Sequence, residues 1–116
     1  MTREHFTAAS GDEIIRYENG DVFYRRDGVA HRDFGPSTVG ADGTKRWCVN
    51  GKEHRIGGPA VEQPNGFNAW YENGQLHRTD GPAVEDPDGP DQWYFRGQLI
   101  AWREDHAAEA SIRVEA

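Results

Sequence analysis

Three histidines at a fixed spacing are the first residues in this sequence whose type could do chemistry. His31, His54 and His77 are 23 residues apart, and a zinc ion needs its ligand nitrogens about 2.0–2.1 Å from one centre. If each unit supplies two strands, equivalent residues lie about 10 Å apart, because neighbouring strands are spaced by about 4.8 Å. We therefore predict no bound metal and no cofactor. Each histidine should instead bond the backbone at a turn or stack on its neighbours.

An arginine follows each histidine, and two of these arginines precede a glutamate by seven residues. The pairs are Arg55 with Glu62 and Arg78 with Glu85. An ion pair across neighbouring strands would hold their register and contribute at most about 1 kcal/mol when exposed. A second interpretation, in which the arginines grip phosphate, is less favoured because acidic side chains lie nearby. We expect these arginines to be structural.

No arrangement typical of an active site accompanies these residues. The single cysteine, Cys48, takes the position that Tyr71 and Tyr94 hold in other units, so a Cys-His set has no support. Asp86 and Asp88 lie in a Pro-Gly turn, where aspartate is favoured for backbone reasons. We therefore predict no catalytic residues and a protein that is not an enzyme.

The histidines belong to a 23-residue repeat that needs no insertion or deletion over most of the chain. An aromatic residue, a glycine and a Gly-Pro pair keep the same step. The aromatic position holds Tyr24, Trp47, Trp70 and Trp93; the glycines are Gly28, Gly51, Gly74 and Gly97; the pairs are Gly35-Pro36, Gly58-Pro59 and Gly81-Pro82. Residues 11–102 are therefore predicted to form one repeat domain.

Each unit is expected to be β-structure. Asp27-Gly28, Asn50-Gly51 and Asn73-Gly74 are strong hairpin signals, since both turn residues tolerate positive φ. The flanking segments are short, aromatic or β-branched, and bounded by Gly and Pro. The prediction is an all-β fold, a single-layer twisted antiparallel meander of about ten or more strands that builds a solenoid.

Two terminal segments fall outside the repeat. Residues 1–10 are predicted to be a flexible lead-in and residues 103–116 a C-terminal cap or tail. The tail is rich in alanine and glutamate and lacks Gly and Pro, so a short helix over the last strand is expected, because the ends of a repeat stack need covering. A helix that binds a partner is the alternative.

Length and charge restrict the class of protein. A chain of 116 residues has room for one domain, and a formal net charge of −7 disfavours direct binding to nucleic acid or to an anionic membrane. One cysteine allows no intrachain disulfide, which fits a reducing compartment. No signal peptide or membrane-spanning apolar stretch is visible. We expect a cytoplasmic protein.

The unit resembles the MORN repeat (membrane occupation and recognition nexus), which has the same length. The matching positions are Gly28-His31-Gly35, Gly51-His54-Gly58 and Gly74-His77-Gly81. An arginine after the histidine and a proline after the second glycine depart from that family and look like a variant repeat of phages, large viruses and some bacteria. The resemblance implies an interaction module, and it suggests an accessory protein that inhibits a host defence complex. The membrane role in the family's name is not implied, since the chain lacks a basic stripe.

Neighbouring aromatic residues indicate where a partner would bind. Trp70 and Tyr71 point to opposite faces of a strand, and a single-layer sheet cannot bury both faces fully. The partner is expected to be another protein, from a host or a second copy of the chain, with the sheet edges available for oligomers. The predicted partner-binding residues are Trp70, Tyr71, Trp93, Tyr94, Glu62, Glu85 and Asp86.

Two alternatives remain open for this surface. The aromatic columns could serve only to stabilise the sheet. The acidic surface could instead mimic nucleic acid and occupy the basic groove of a nucleic-acid-binding protein. Mimicry should weaken steeply with ionic strength, whereas binding through aromatic side chains should change little.

The spacing of the histidines makes a testable prediction about metal. The purified protein should carry no stoichiometric zinc, because ligands about 10 Å apart cannot converge on one ion. Elemental analysis of the purified chain is the measurement. About one zinc per chain, lost when His54 and His77 are replaced by alanine, would contradict the prediction.

Overall fold

The computed structural model of the protein describes residues 3–103 and 112–114, and every regular element in these ranges is a β-strand. The strands are β1 Arg3–Thr7, β2 Asp12–Tyr17, β3 Val22–Arg26, β4 Val29–Ala30, β5 Thr38–Val39, β6 Lys45–Arg46, β7 Cys48–Val49, β8 Lys52–Glu53, β9 Val61–Glu62, β10 Asn68–Ala69, β11 Tyr71–Glu72, β12 Gln75–Leu76, β13 Val84–Glu85, β14 Asp91–Phe95, β15 Gln98–Arg103 and β16 Ile112–Val114. The predicted all-β fold is confirmed.

One large antiparallel sheet contains most of the described strands. Its order is β1-β2-β3-β5-β6-β9-β10-β13-β14-β15-β16, with β4 paired to one end of β3, which makes twelve strands. Successive strands in the sheet follow chain order, so the predicted meander is confirmed. The longest dimension of the molecule is 52 Å, close to what eleven strands at about 4.8 Å would span. The strands therefore follow one another along the long axis.

The expected glycine turns are present, and they close small side hairpins. Asn50 and Asn73 both have φ 52°, and the following glycines have φ near 80°, as a two-residue hairpin turn requires. These turns join β7 to β8 and β11 to β12, two pairs that stand apart from the large sheet. A central unit thus has four short strands, two in the sheet and two in a side hairpin.

In the central units the chain leaves the large sheet at the aromatic residue of the repeat. Trp47 donates its backbone N–H to the carbonyl of Ala60 at 2.8 Å, and its own carbonyl accepts from the N–H of His54 at 2.9 Å. Trp70 repeats both bonds with Ala83 and His77. One residue with both groups engaged in this way separates the sheet strand from the hairpin strand.

The core is thin and made of small side chains. Its buried apolar members are Ile15, Cys48, Ala60, Val61, Ala69, Ala83 and Val84. The largest side chains that are fully buried are Ile15 and Ser37. The tryptophans are half-buried, so the large rings cover the core from outside.

Both chain ends contribute strands to the sheet. Residues 3–7, expected to belong to a loose lead-in, form β1, which pairs with β2 over five residues. Without β1 the backbone groups on that side of β2 would form an open edge. Of the predicted tail, Arg103 ends β15 and Ile112–Val114 forms β16, paired with β15. The described residues contain no helix, and the rest of the expected cap, residues 104–111 and 115–116, lies outside them.

In the part of the chain that the structure describes, no helix is long and apolar enough to cross a membrane.

The hairpin turn Arg96-Gly97, which joins β14 to β15, makes a prediction about stability. Arg96 has φ 48°, a conformation that asparagine tolerates better than arginine. Arg96→Asn should stabilise the protein by about 0.5–1 kcal/mol. Gly74→Ala should destabilise it by about 1 kcal/mol or more, because Gly74 has φ +80°. Thermal melting followed by circular dichroism tests both, and unchanged melting temperatures in the two variants would contradict the assignment of the turns.

Candidate protein-binding surface

The arginine after each histidine folds back onto the aromatic residue of its own unit. The guanidinium carbons of Arg32, Arg55 and Arg78 lie 3.8 Å from the ring centroids of Tyr24, Trp47 and Trp70. The loop that follows the His-Arg pair is thereby held over one face of the sheet. A cation against a ring at this distance contributes about 0.5–2 kcal/mol.

A glycine makes room for this arrangement. Arg78 donates from Nη1 to the carbonyl of Pro82 at 3.0 Å, and a Cβ atom on Gly81 would lie 2.8 Å from the guanidinium carbon. Arg55 makes the same bond to Pro59, also at 3.0 Å. The Gly-Pro pair of the repeat is explained by this close approach: glycine leaves space, and the proline carbonyl accepts the bond.

The two predicted ion pairs, each between an arginine and the glutamate seven residues later, are present. Arg55 Nη1 lies 3.3 Å from Glu62 Oε2, and Arg78 Nη1 lies 3.4 Å from Glu85 Oε2. Both glutamates were proposed as part of an acidic rim for a partner. In the structure each glutamate neutralises an arginine that is stacked on a ring, so the negative charge of the glutamate is largely balanced within the chain.

The histidines bond the backbone of the next unit, as one of the two predicted roles required. The Nδ1 atoms of His31, His54 and His77 accept from the backbone N–H of Asn50, Asn73 and Arg96, each at 3.0 Å. Each acceptor therefore ties a loop to the hairpin turn 19 residues later. A neutral imidazole has one acceptor nitrogen, so the other nitrogen carries the proton. His31 Nε2 accordingly lies 2.8 Å from Asp33 Oδ1.

The described residues hold no group of three or more His, Cys, Asp or Glu side chains arranged to bind a metal ion.

The predicted partner-binding residues do not form one patch. Strand alternation and the pairing register place Trp70 and Trp93 on the face that also carries Glu62 and Glu85. Tyr71 lies beyond the bend at Trp70, in the side hairpin of β11 and β12. All four aromatic residues of the prediction, Trp70, Tyr71, Trp93 and Tyr94, are half-buried.

Asp86 lies away from both aromatic rows. It is in the turn after β13, where its Oδ1 accepts from the backbone N–H of Asp88 at 3.0 Å. This bond explains the aspartate at that position without a partner. The seven residues are therefore distributed over one face of the large sheet, the hairpins beside it and one turn, because the chain leaves the sheet at Trp70.

The Tyr71 phenol and the Cys48 thiol, which occupy equivalent positions in two units, both hold their protons more tightly than usual. Burial, and to a lesser degree the nearby carboxylate of Glu53, raises the pKa of the Tyr71 phenol. Burial likewise raises the pKa of the Cys48 thiol, so the nucleophilic thiolate is disfavoured there. The arrangement offers ring surface and a hydroxyl for contact, and it gives no sign of an activated nucleophile.

Two grooves occur at equivalent places in the repeat. The central groove is about 400 Å³ and the N-terminal groove about 290 Å³. The central groove is lined by Trp70, Glu72, the loop from Arg55 to Pro59 and the loop from His77 to Asp80. The N-terminal groove is lined by residues 12–14, 24–26 and 31–34.

Sequence reasoning missed both grooves. The available signal was a repeat position whose charge varies within a fixed frame of glycine and histidine: it holds Arg26, then Val49, then Glu72. Two apolar side chains on the same loops are also exposed, Phe34 by 91% and Ile56 by 72%. Such variation on a constant frame is typical of a surface rather than of a core.

Comparison with known proteins leaves the family open. No protein-family model matches the chain, and no curated protein or solved structure matches it either. The resemblance to the MORN repeat therefore stays a prediction from the sequence. Function has to be inferred from the geometry of the chain itself.

The raised pKa values predict a loss of stability at alkaline pH. The folded state holds the Tyr71 and Cys48 protons more tightly than the unfolded chain does. Stability is fully present below the unfolded-state pKa values, about 8.5 for cysteine and 10 for tyrosine, and is lost as pH rises through the folded-state values. Urea unfolding between pH 8 and about 11 should show a shallower decline for Tyr71→Phe than for the parent. Equal slopes would contradict the burial of this phenol.

Proposed function

We propose that this chain is a non-enzymatic protein-binding module. The observation that carries the proposal is the set of half-buried aromatic side chains, with Trp70 and Trp93 on one face of the large sheet and Tyr71 and Tyr94 in the hairpins that follow them. Aromatic residues lose little conformational entropy when a partner covers them, and they are enriched among the residues that dominate binding energy. Because the core of this chain is thin, such aromatic side chains stay partly exposed along its length.

Recurring contacts support a solenoid as the architecture of the module. The arginine–ring contact and the histidine–backbone bond each occur three times at the 23-residue step. A third contact joins each hairpin to the hairpin before it. Gly51, Gly74 and Gly97 donate to the carbonyls of Ala30, Glu53 and Leu76, each at 2.8 Å. Units that bond only to their neighbours behave as a one-dimensional stack, and a MORN-like repeat would do the same.

The surface around Tyr71 and Tyr94 is the stronger of the two candidate surfaces. Each of Trp47 and Trp70 has one ring face covered by an arginine of this chain. Tyr71 and Tyr94 lie in the hairpins that follow the tryptophans, and each presents a ring with a hydroxyl that can donate or accept a hydrogen bond. Tyr71 and Tyr94 are proposed as anchors, with Trp70 and Trp93 holding the sheet beneath them.

The distribution of charge favours one alternative, a mimic of nucleic acid. Residues 59–116 contain 11 acidic and four basic side chains, whereas residues 1–58 contain nine of each. The net charge of −7 therefore comes from the second half of the chain. An acidic segment on an elongated protein could occupy a basic groove. Inhibition of a host defence complex in the cytoplasm is the biological setting that the sequence resemblance suggests for either mode.

Paired variants test the proposed function. Affinity capture from host lysate, identified by mass spectrometry, is compared for the parent, Tyr71→Ala, Tyr94→Ala and the control Tyr71→Phe, which keeps the ring. We expect the alanine variants to lose the captured protein, since truncating a central contact residue typically costs about 2 kcal/mol or more, and Tyr71→Phe to retain it.

Thermal melting and salt dependence separate the alternatives. If the alanine variants keep their partner while their melting temperatures collapse, the tyrosines serve the fold and the proposal about them fails. If capture by the parent disappears between about 50 and 200 mM salt, as expected for contacts that replace phosphates, the nucleic-acid mimic is the better description.

A further inference from the structure

The N-terminal groove is lined by a cation and anions of this chain that pair with one another. The guanidinium of Arg26 lies between two carboxylates: Nη2 donates to Asp12 Oδ2 at 3.1 Å and to Asp33 Oδ2 at 2.8 Å. The Arg26 Nη1 atom also lies 3.4 Å from Asp33 Oδ1. Charged groups in this groove are therefore matched from within the chain.

The central groove has the anion at the same place. Glu72 stands 46 residues after Arg26, two repeats further on, so a carboxylate replaces the guanidinium. Its Oε2 atom lies 3.1 Å from His77 Nε2, and its side chain is 39% exposed. Asp80 on the rim of this groove is 83% exposed. Two carboxylates thus face the open volume of about 400 Å³.

The arginines of the central groove are already engaged by other groups. Arg55 and Arg78 lie over tryptophan rings, and each pairs with the glutamate seven residues later. Arg78 Nε also reaches Asp80 at 2.9 Å. Around this groove, four carboxylates stand against two guanidinium groups. The groove therefore has room for a cation and an excess of negative charge beside it.

We propose that the central groove binds the guanidinium of an arginine presented by a partner protein, with Glu72 as the main acceptor. The inference rests on the proposed protein-binding function and names the chemistry of the partner. Arginine fits better than lysine because its planar fork matches a carboxylate with two parallel bonds and sheds water more readily. In the N-terminal groove the guanidinium of Arg26 makes this kind of contact, with Asp12 and Asp33.

A blocked tripeptide tests the groove directly. The probe is acetyl-Gly-Arg-Gly-amide, and its neutral counterpart carries citrulline, which has nearly the same shape without the charge. The full chain is titrated by ¹H–¹⁵N NMR, with the indole N–H of Trp70 and the backbone N–H of His77 as reporters. The arginine peptide should give saturable shifts at these sites, and the citrulline peptide should give none.

Substitutions identify the acceptor. Glu72→Gln should weaken binding about tenfold or more, the size expected for a hydrogen bond to a charged group. Glu4→Gln removes the same charge from β1, outside the groove, and should change the affinity less than about twofold. Asp80→Asn provides a second groove variant if Glu72→Gln melts early.

Defined outcomes overturn the inference. Equal shifts from the two peptides would mean that the guanidinium charge is not recognised. Equal losses in Glu72→Gln and Glu4→Gln would mean that charge in general, and not this groove, attracts the probe. If a captured partner stays bound to Glu72→Gln and Asp80→Asn, the groove assignment fails while the protein-binding function stands. If the arginine peptide binds at the groove but no protein is captured by the parent, the proposed function fails and the chemistry of the groove stands.

Discussion

A guanidinium held against an aromatic ring is the interaction on which the rest of this structure depends. In three units the arginine after the histidine lies 3.8 Å from its ring and bonds the carbonyl of the following proline. That contact turns the loop back over the sheet and places a planar cation where a second layer would otherwise be needed. Glycine before the proline is required for the same approach.

This clamp explains how so thin a core suffices. The buried side chains are small, with Ala60 and Ala83 among them, and a sheet of such residues alone would leave much apolar surface in water. The ring and the guanidinium lie on the face of the sheet that carries Ala60 and Ala83, and the glutamate seven residues later neutralises the charge. A partly desolvated arginine is acceptable here because its donors and its charge are both matched.

Function, on this view, is assigned to what the repeat leaves free. The His-Arg-Gly-Pro frame is occupied by contacts within and between units, while the position of Arg26, Val49 and Glu72 changes its charge from unit to unit. The same groove consequently carries an internal ion pair at one end of the molecule and a carboxylate beside open volume in the middle. A constant frame with a variable lining is how repeat proteins acquire specific surfaces.

The sequence alone determined the class of fold and the local turns. A 23-residue step with Asn50-Gly51 and Asn73-Gly74 indicated antiparallel β-units, since turn chemistry and strand patterning are local properties of the chain. It also indicated the pairing of Arg55 with Glu62, because a fixed separation in a regular repeat gives a fixed separation in space.

Tertiary structure decided how those elements share the surface. Only the fold shows that the glycine turns close side hairpins, that β1 pairs with β2 at one end of the sheet, and that the seven candidate partner residues are divided between one sheet face, the hairpins and a turn. Which carboxylates are neutralised also depends on contacts between segments far apart in the chain, as between Arg26 and Asp12. Sequence spacing carries no information about such contacts, because they arise from the bend at each aromatic residue and from packing of one unit on the next.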